Sequence, residues 1–218
     1  MTDFSLKVIV SYLLGSIVGS LLVGRLRGGV DIRQLGSGNA GGTNALRTQG
    51  KGFAFWVMVI DIGKGWVATR LLPPLAIAGL AGPTGAATEG WLAVACGIAV
   101  ILGHVYPLWH GFKGGKGVAT LVGTVLGLDP VLLLPMLGVW LASVIVFGFV
   151  GLASILGAVA LAVTAAVGAW EPRAPLLLFG SLTALLIAFT HRSNIARMRA
   201  GTEPRARRLW LLGLRRNA

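Results

Sequence analysis

Long apolar stretches separated by short polar segments dominate the pattern of this chain. Four of the stretches have about the length, roughly 20 residues, that an α-helix needs to cross a hydrocarbon core of about 30 Å. They lie near residues 4–24, 53–72, 91–109 and 174–190, and a fifth, longer stretch covers residues 117–170. The pattern predicts an all-α integral membrane protein.

The fifth stretch is too long for one span. As a helix it would reach roughly 80 Å, which allows two full spans or three short ones. The basic residues decide between two and three spans, because cytoplasmic loops are rich in Lys and Arg. Basic clusters follow the first, third and last spans. Placing all three clusters on one side requires three helices within 117–170, with turns near Asp129 and near residues 148–151. We therefore predict about seven spans, an outside N-terminus and a cytoplasmic C-terminus.

Composition agrees with a membrane protein. Hydrophobic residues make up 55% of the chain and charged residues 12%, against about 25% charged in soluble domains. The net charge of +12 raises the question of nucleic acid, but the basic residues flank apolar spans without an aromatic stacking surface, so we expect no nucleic-acid partner. Cys96 lies alone in an apolar run, which excludes a disulfide framework and a cysteine-rich metal site. We expect no metal and no cofactor.

The first polar segment, residues 36–47, reads GSGNAGGTNALR. Its glycines free the backbone to point N–H groups at a ligand, and its polar side chains add donors. These side chains are Ser37, Asn39, Thr43, Asn44 and Arg47. The segment favours an anion site, and the alternative is a flexible polar linker.

The second polar segment, residues 103–120, reads GHVYPLWHGFKGGKGVAT. Lys113, two glycines and Lys116 stand directly before an apolar helix, whose free N–H groups and dipole favour an anion such as phosphate. A nucleotide P-loop is excluded, because each Gly-Lys pair is followed by Gly rather than Ser or Thr.

The third polar segment, residues 191–204, reads HRSNIARMRAGTEP and begins where the last span ends. Helical spacing places His191 and Asn194 on one face. The alternative is an interfacial histidine beside arginines that only signal topology, but the coincidence of three such segments favours a functional site. In the second span, Asp61 and Lys64 stand three apart, and we predict a structural ion pair.

Together these motifs resemble the bacterial membrane glycerol-3-phosphate acyltransferases that use acyl phosphate. The resemblance runs from the first span to about Pro204, so we expect one transmembrane acyltransferase domain at 1–204 and a basic cytoplasmic tail at 205–218. It rests on YLLGS at 12–16, GGVDIRQLGSGNAGGTNALR at 28–47, D-x-x-K-G at 61–65, GHVYP and GFKGGKGVAT within 103–120, and HR-x-NI-x-R with GTEP within 191–204.

The resemblance implies transfer of a fatty acyl group from acyl phosphate to the sn-1 hydroxyl of glycerol 3-phosphate. The products would be lysophosphatidic acid and inorganic phosphate, in the first acylation step of phospholipid synthesis. Expected partners are the two substrates, membrane lipids and other enzymes of phospholipid synthesis. The expected location is the bacterial cytoplasmic membrane, with the active site at its cytoplasmic face.

The resemblance also implies which residues act. Catalytic roles fall on His191, Asn194 and Lys116. Substrate and phosphate binding fall on Ser37, Gly38, Asn39, Thr43, Asn44, Arg47, His104, Lys113, Gly114, Gly115 and Ser154. Ser154 has an alternative role as a helix cap. One departure is Gly151, which stands where the family usually has serine.

For the mechanism we expect direct attack of the glycerol hydroxyl on the acyl carbonyl, with His191 or a donor phosphate oxygen as the base. The chain lacks both an H-x-x-x-x-D and a G-x-S-x-G pattern, which disfavours a covalent serine route. Two rivals stay open. One is a transporter of a phosphorylated solute, favoured by Asp61, Lys64 and the short fourth span. The other is a structural subunit whose basic loops bind anionic lipid.

Overall fold

The computed structural model describes residues 3–77, 86–170, 173–207 and 209–211. Within these ranges the regular structure is helical, without a strand. The chain divides into two compact units, Met1–Asp129 and Pro130–Ala218. The predicted all-α fold is confirmed for the described residues.

The described part of the first unit contains six α-helices, of which α4 continues into a π-helical turn at Val67–Leu71. They are α1 (Asp3–Gly15), α2 (Gly19–Leu26), α3 (Gly42–Gln49), α4 (Lys51–Trp66), α5 (Ala86–Val105) and α6 (Val118–Leu128). In the second unit a short 3-10 turn, Pro130–Leu132, leads into the first helix. The helices there are α7 (Leu133–Phe147), α8 (Val150–Val167), α9 (Arg173–Thr190) and α10 (Arg192–Arg199).

Five helical segments among the described residues are long and apolar enough to cross a membrane. They are Lys51–Leu71, Thr88–His110, Pro130–Phe147, Val150–Val167 and Arg173–Thr190. The bent pair α1 and α2 would make a sixth, and α6 is a shorter apolar helix. The predicted division of 117–170 into three helices is confirmed, with turns at Asp129 and Gly148. The number of crossings and the orientation of the termini stay predictions.

The first apolar stretch is not the continuous helix that its sequence predicts. Helix α1 ends at Gly15, α2 begins at Gly19, and their axes meet at 49°. The Lys64 ammonium donates to the carbonyls of Gly15 and Ile17 at 3.0 and 2.8 Å, and the N–H of Gly19 donates to Asp61 Oδ1 at 3.0 Å. A helix break at membrane depth requires such partners for its freed backbone groups. Side chains of α4 therefore stabilise the break.

Glycines let the helices of the first unit approach closely. A Cβ on Gly15 would collide with the backbone of Val100 in α5, and one on Gly19 would lie 2.9 Å from the carbonyl oxygen of Val57 in α4. Gly15 and Gly19, spaced G-x-x-x-G, thus serve different helix pairs. In the second unit, α8 packs between α7 and α9.

Candidate active site

The Asn44 side chain organises the first polar loop. Its Nδ2 lies 3.0 Å from each of the carbonyl oxygens of Ile32, Leu35 and Asn39, and its Oδ1 accepts from the N–H of Ser37 at 3.0 Å. The side chain is buried at the start of α3. Sequence reasoning predicted Asn44 as a ligand donor, whereas here its amide holds the loop in shape.

The same loop leaves several of the predicted binding residues at its surface. Gly36 and Gly38 have φ values of +58° and +71°, a conformation that favours glycine, and a Cβ on Gly36 would collide with the Asn44 amide oxygen. Ser37, Gly38, Thr43 and Arg47 are exposed, and Asn39 is half-buried. Thr43 and Arg47 stand four apart on α3 and therefore share one face.

Arg33 joins the first polar loop to the second. Its Nη1 donates to the carbonyls of His110 and Lys113 at 3.2 and 3.0 Å, while its Nε and Nη2 bind the carboxylate of Asp31 at 2.7 to 3.1 Å. The hydrogen bond from Arg33 lowers the pKa of Asp31. Sequence reasoning counted Arg33 only as a topology signal. The Asp-x-Arg spacing was the available sign of a local pair.

The second polar loop folds back onto the end of α5. The N–H groups of Gly114 and Gly115 donate to the carbonyls of Val105 and His104, each at 3.1 Å. A Cβ on Gly115 would collide with the His104 imidazole at Nε2 and lie 3.2 Å from the carbonyl oxygen of Ala40 in the first loop. Lys113 is exposed and Lys116 is half-buried. The first unit thus brings the two predicted phosphate segments together.

His104 lies beneath this loop pair, fully enclosed. Its Nδ1 is 2.9 Å from the Lys64 ammonium and 3.3 Å from Asp61 Oδ1. Asp61 and Lys64 form the predicted ion pair, at 2.9 Å, with side chains only 1% and 3% exposed. His104, predicted as a binding residue, therefore stands between the ion pair and Gly115.

In the second unit, His191 occupies the N-cap position of α10 and is buried. Its Nδ1 lies 2.8 Å from the carbonyl oxygen of Ile187, to which it donates. A neutral imidazole with its proton on Nδ1 presents Nε2 as the proton-accepting nitrogen. The geometry therefore fixes the tautomer that a general base needs.

Asn194 lies one turn further along α10, where Glu203 binds its amide and Gly151 packs against its side chain. Its Nδ2 donates to Glu203 Oε1 at 2.6 Å, and Arg197 binds the other oxygen of Glu203 at 2.7 Å. A Cβ on Gly151 would lie 2.9 Å from the Cβ, Cγ and Nδ2 atoms of Asn194. A serine at position 151, usual in the resembled family, would collide with Asn194 here. Sequence reasoning missed the role of Glu203, although the GTEP motif contained it.

Ser154 lies on α8, one turn beyond Gly151, and is buried. Its hydroxyl donates to the carbonyl of Val150, the first residue of α8, at 2.9 Å. The alternative interpretation of Ser154 as a helix-start cap is wrong, because the N-cap position belongs to Phe149.

An apolar groove of about 440 Å³ lies between α4 and α6 in the first unit. Its lining is almost entirely hydrocarbon and aromatic. The lining residues are Phe55, Met58, Val59, Ile62, Gly63, Trp66 and Leu126. Met58 also lies against Gly42, at the start of α3, so the groove reaches the first polar loop.

Several helices are long enough to cross a membrane, and the polar residues lie in tight glycine-rich loops at the helix ends. This arrangement defines the class of protein as a helical integral membrane protein. Solved structures of PlsY (YgiH), an integral membrane glycerol 3-phosphate acyltransferase, are similar. Its glycerol 3-phosphate form has a TM-score of 0.81 at 34% identity, over 93% of this chain and 94% of that chain. Its lysophosphatidic acid form has a TM-score of 0.79 at 33% identity, with the same coverage.

Curated relatives agree. The glycerol-3-phosphate acyltransferase of Chlorobaculum tepidum is 38% identical, over 94% of this chain and 97% of the relative. That of Parasynechococcus marenigrum is also 38% identical, over 92% and 88%. The sequence profile of the glycerol-3-phosphate acyltransferase family matches residues 5–201. The chain belongs to the glycerol-3-phosphate acyltransferase family, which confirms the resemblance inferred from its motifs.

Proposed function

We propose that this protein transfers a fatty acyl group from acyl phosphate to the sn-1 hydroxyl of glycerol 3-phosphate, forming lysophosphatidic acid and inorganic phosphate. The observation that carries the proposal is the paired glycine-rich loops of the first unit, joined by Arg33 and by Gly115 against Ala40. Membership in the family and the ligands named for the two PlsY structures support the acceptor and the product.

The paired loops supply the proposed phosphate contacts. The exposed Ser37, Thr43 and Arg47 add hydroxyl and guanidinium donors to the loop backbone, and charge-assisted hydrogen bonds to phosphate are the stronger kind. Lys116 stands two residues before α6, where the free N–H groups and the helix dipole favour an anion. In this proposal Asn44 and His104 contribute by holding the loops rather than by touching substrate.

The proposed chemistry is a direct displacement. The glycerol hydroxyl oxygen attacks the acyl carbonyl carbon, and the bond between that carbon and the phosphate oxygen breaks, so that phosphate leaves with the electron pair. The hydroxyl proton passes to Nε2 of His191, or to a phosphate oxygen, and Asn194 orients the reacting groups. Lys116 stabilises the charge that develops on the leaving phosphate.

The apolar groove between α4 and α6 is the proposed location of the donor's acyl chain. The hydrocarbon lining suits an acyl chain that arrives from the bilayer, because its surroundings there are as apolar as lipid tails. The proposal further places the protein in the bacterial cytoplasmic membrane with seven spans. The polar loops would then face the cytoplasm, where both substrates are expected.

The contacts of Asp61 and Lys64 weigh against a transporter. That alternative used the two charges as an intramembrane substrate site, but Lys64 Nζ and Asp61 Oδ1 bind the break between α1 and α2 and each other. Asp61 Oδ2 is buried without a hydrogen-bond partner among the described residues, yet the two charges are already committed to each other and to fixed backbone groups.

The deciding experiment incubates purified protein in liposomes with acyl phosphate and labelled glycerol 3-phosphate, and identifies the product and its acylated position. Parallel reactions replace the acyl phosphate with acyl-CoA or with acylated acyl carrier protein. We expect 1-acyl product with acyl phosphate alone. Arg47→Gln should raise the KM for glycerol 3-phosphate, whereas Lys51→Gln, which removes an exposed charge at the start of α4, should not. Absence of product from folded protein would defeat the proposal. Activity with acyl-CoA alone would show that acyl phosphate is not the donor.

A further inference from the structure

Arg205, Ala206 and Trp210 cover the turn between α7 and α8. These three residues, here called the clasp, follow the last residue matched by the family profile, residue 201. Three of its donors bind the turn: the N–H of Ala206 bonds the carbonyl of Gly148 at 2.8 Å, Trp210 Nε1 that of Val146 at 3.2 Å, and Arg205 Nη1 that of Phe147 at 3.4 Å. The clasp is therefore built onto the turn.

These acceptors are carbonyls at the C-terminal end of α7, which the helix itself cannot satisfy. The last carbonyls of a helix have no intrahelical donor and carry the negative end of its dipole, so a cation there is favourable. The Arg205 guanidinium supplies that cation. It lies 4.5 Å from the centre of the Phe149 ring and 3.9 Å from that of Trp210, stacked with both aromatic side chains.

Gly148 makes the fit possible. Its φ of +78° favours glycine, and a Cβ there would lie 2.9 Å from Cγ of the Trp210 indole. The indole thus packs directly on the backbone of the turn, and a side chain at position 148 would displace it.

The turn is also connected to Asn194. Gly151, three residues after Gly148, packs against the Asn194 side chain. On its other side the Asn194 amide binds Glu203, which stands two residues before the clasp begins. A shift of the turn would therefore move one wall of the Asn194 site. A misplacement of about 1 Å near reacting groups can cost up to 10²-fold in rate.

We propose that the clasp fixes the turn between α7 and α8 and thereby positions Asn194, so that Arg205 and Trp210 are positioning residues for catalysis. The effect on catalysis rests on the acyl transfer proposed above, whereas the fixing of the turn does not. The clasp acts on the second unit, so its loss lowers kcat and spares the binding of glycerol 3-phosphate by the loops of the first unit.

The test compares full-length Trp210→Ala and Arg205→Gln with Arg207→Gln, a matched control that removes an exposed charge whose side chain makes none of the clasp's contacts with the turn. Hydrogen exchange of the segments 146–151 and 205–211 is followed by mass spectrometry, and kcat and KM are measured with acyl phosphate and glycerol 3-phosphate. We expect faster exchange in both segments and a kcat lower by about tenfold in the two clasp variants. KM should stay within about twofold, and Trp210→Phe, which keeps the ring on Arg205, should recover much of the kcat.

Several results would overturn the proposal. Unchanged exchange in the clasp variants would show that the clasp does not hold the turn. Faster exchange with normal kcat would show that the turn does not position Asn194. If Arg207→Gln loses as much kcat as the clasp variants, the effect comes from the positive charge of the tail and not from the contacts of the clasp. An inactive parent would defeat the enzyme assignment, while the exchange data would still decide whether the clasp fixes the turn.

Discussion

Replacement of Lys64 by methionine tests the central contact of the first unit. The side chain is buried, its ammonium pairs with Asp61 at 2.9 Å, and it donates to the carbonyls of Gly15 and Ile17. Methionine keeps much of the length and removes the charge. The Asp61 carboxylate would then be left buried without its cation.

The expected loss follows from the two contributions that disappear. Removing one partner of a buried ion pair costs about 3–5 kcal/mol, because the remaining charge is uncompensated. Hydrogen bonds between helices in membranes average about 0.6 kcal/mol each, so the two carbonyls add only about 1 kcal/mol. The orphaned charge dominates. Lys64→Met should therefore lose about 4–6 kcal/mol, whereas the double variant with Asp61→Asn, which carries no orphaned charge, should lose only about 1–2 kcal/mol.

The assay is reversible unfolding by SDS in mixed micelles, followed by tryptophan fluorescence. Lys51→Met is the control, because Lys51 is exposed at the start of the same helix, and its loss should stay within about 0.5 kcal/mol. The reasoning is refuted if Lys64→Met unfolds within about 1 kcal/mol of the parent. It is equally refuted if the double variant is no more stable than Lys64→Met alone.

Three further predictions concern the polar loops and the proposed base. Gly115→Ala should raise the KM for glycerol 3-phosphate by at least about tenfold, because a Cβ there collides with a buried imidazole. Gly138→Ala in α7, where a Cβ meets open space, should behave as the parent. Arg33→Gln should raise the same KM by about three- to tenfold, since two carbonyls lose a charged donor. The pKa of Asp31 is lowered by Arg33, so in the parent this support is complete above the ordinary value of 3.8 and is lost only as pH falls through the lowered one. The ratio of the KM of Arg33→Gln to that of the parent should therefore stay constant between pH 7 and pH 5, because titration of the substrate phosphate in this range acts on both proteins alike. A ratio that shrinks over that range would contradict this. His191→Ala should lower kcat by about 10² or more with little change in KM, and near-normal turnover would assign the proton to the donor phosphate.

The helices were predictable because their signal is local. An apolar run of membrane length predicts a helix, and the basic clusters correctly indicated three helices within residues 117–170. The break in the first run was not predictable in this way. Residues 16–18 hold no proline, and the groups that satisfy the break, Asp61 and Lys64, stand more than 40 residues later. The sequence predicted their pairing but not their bonds to the break.

The sequence predicted a set of candidate site residues, but not the contacts that each of them makes in the folded protein. The resemblance implied a binding role for Ser37, Arg47 and Asn44 alike. In the structure the Asn44 amide is hydrogen-bonded to the loop backbone, while the side chains of the other two are exposed. Roles of this kind depend on which carbonyls face a side chain after folding. The clasp was beyond prediction for a related reason, since Arg205 and Trp210 act on a turn about 60 residues earlier in the chain.

The break in the first apolar run also bears on how the chain is made. The carbonyl of Gly15 accepts a hydrogen bond from the ammonium of Lys64, which stands 49 residues further along the chain. At roughly 5–20 residues per second, that ammonium is synthesised about 2–10 s after Gly15. Until then the backbone groups of the first segment lack their final partners. The contacts that stabilise the bend therefore form only when α4 packs beside it, so the geometry of the earliest segment is an outcome of assembly with a later one.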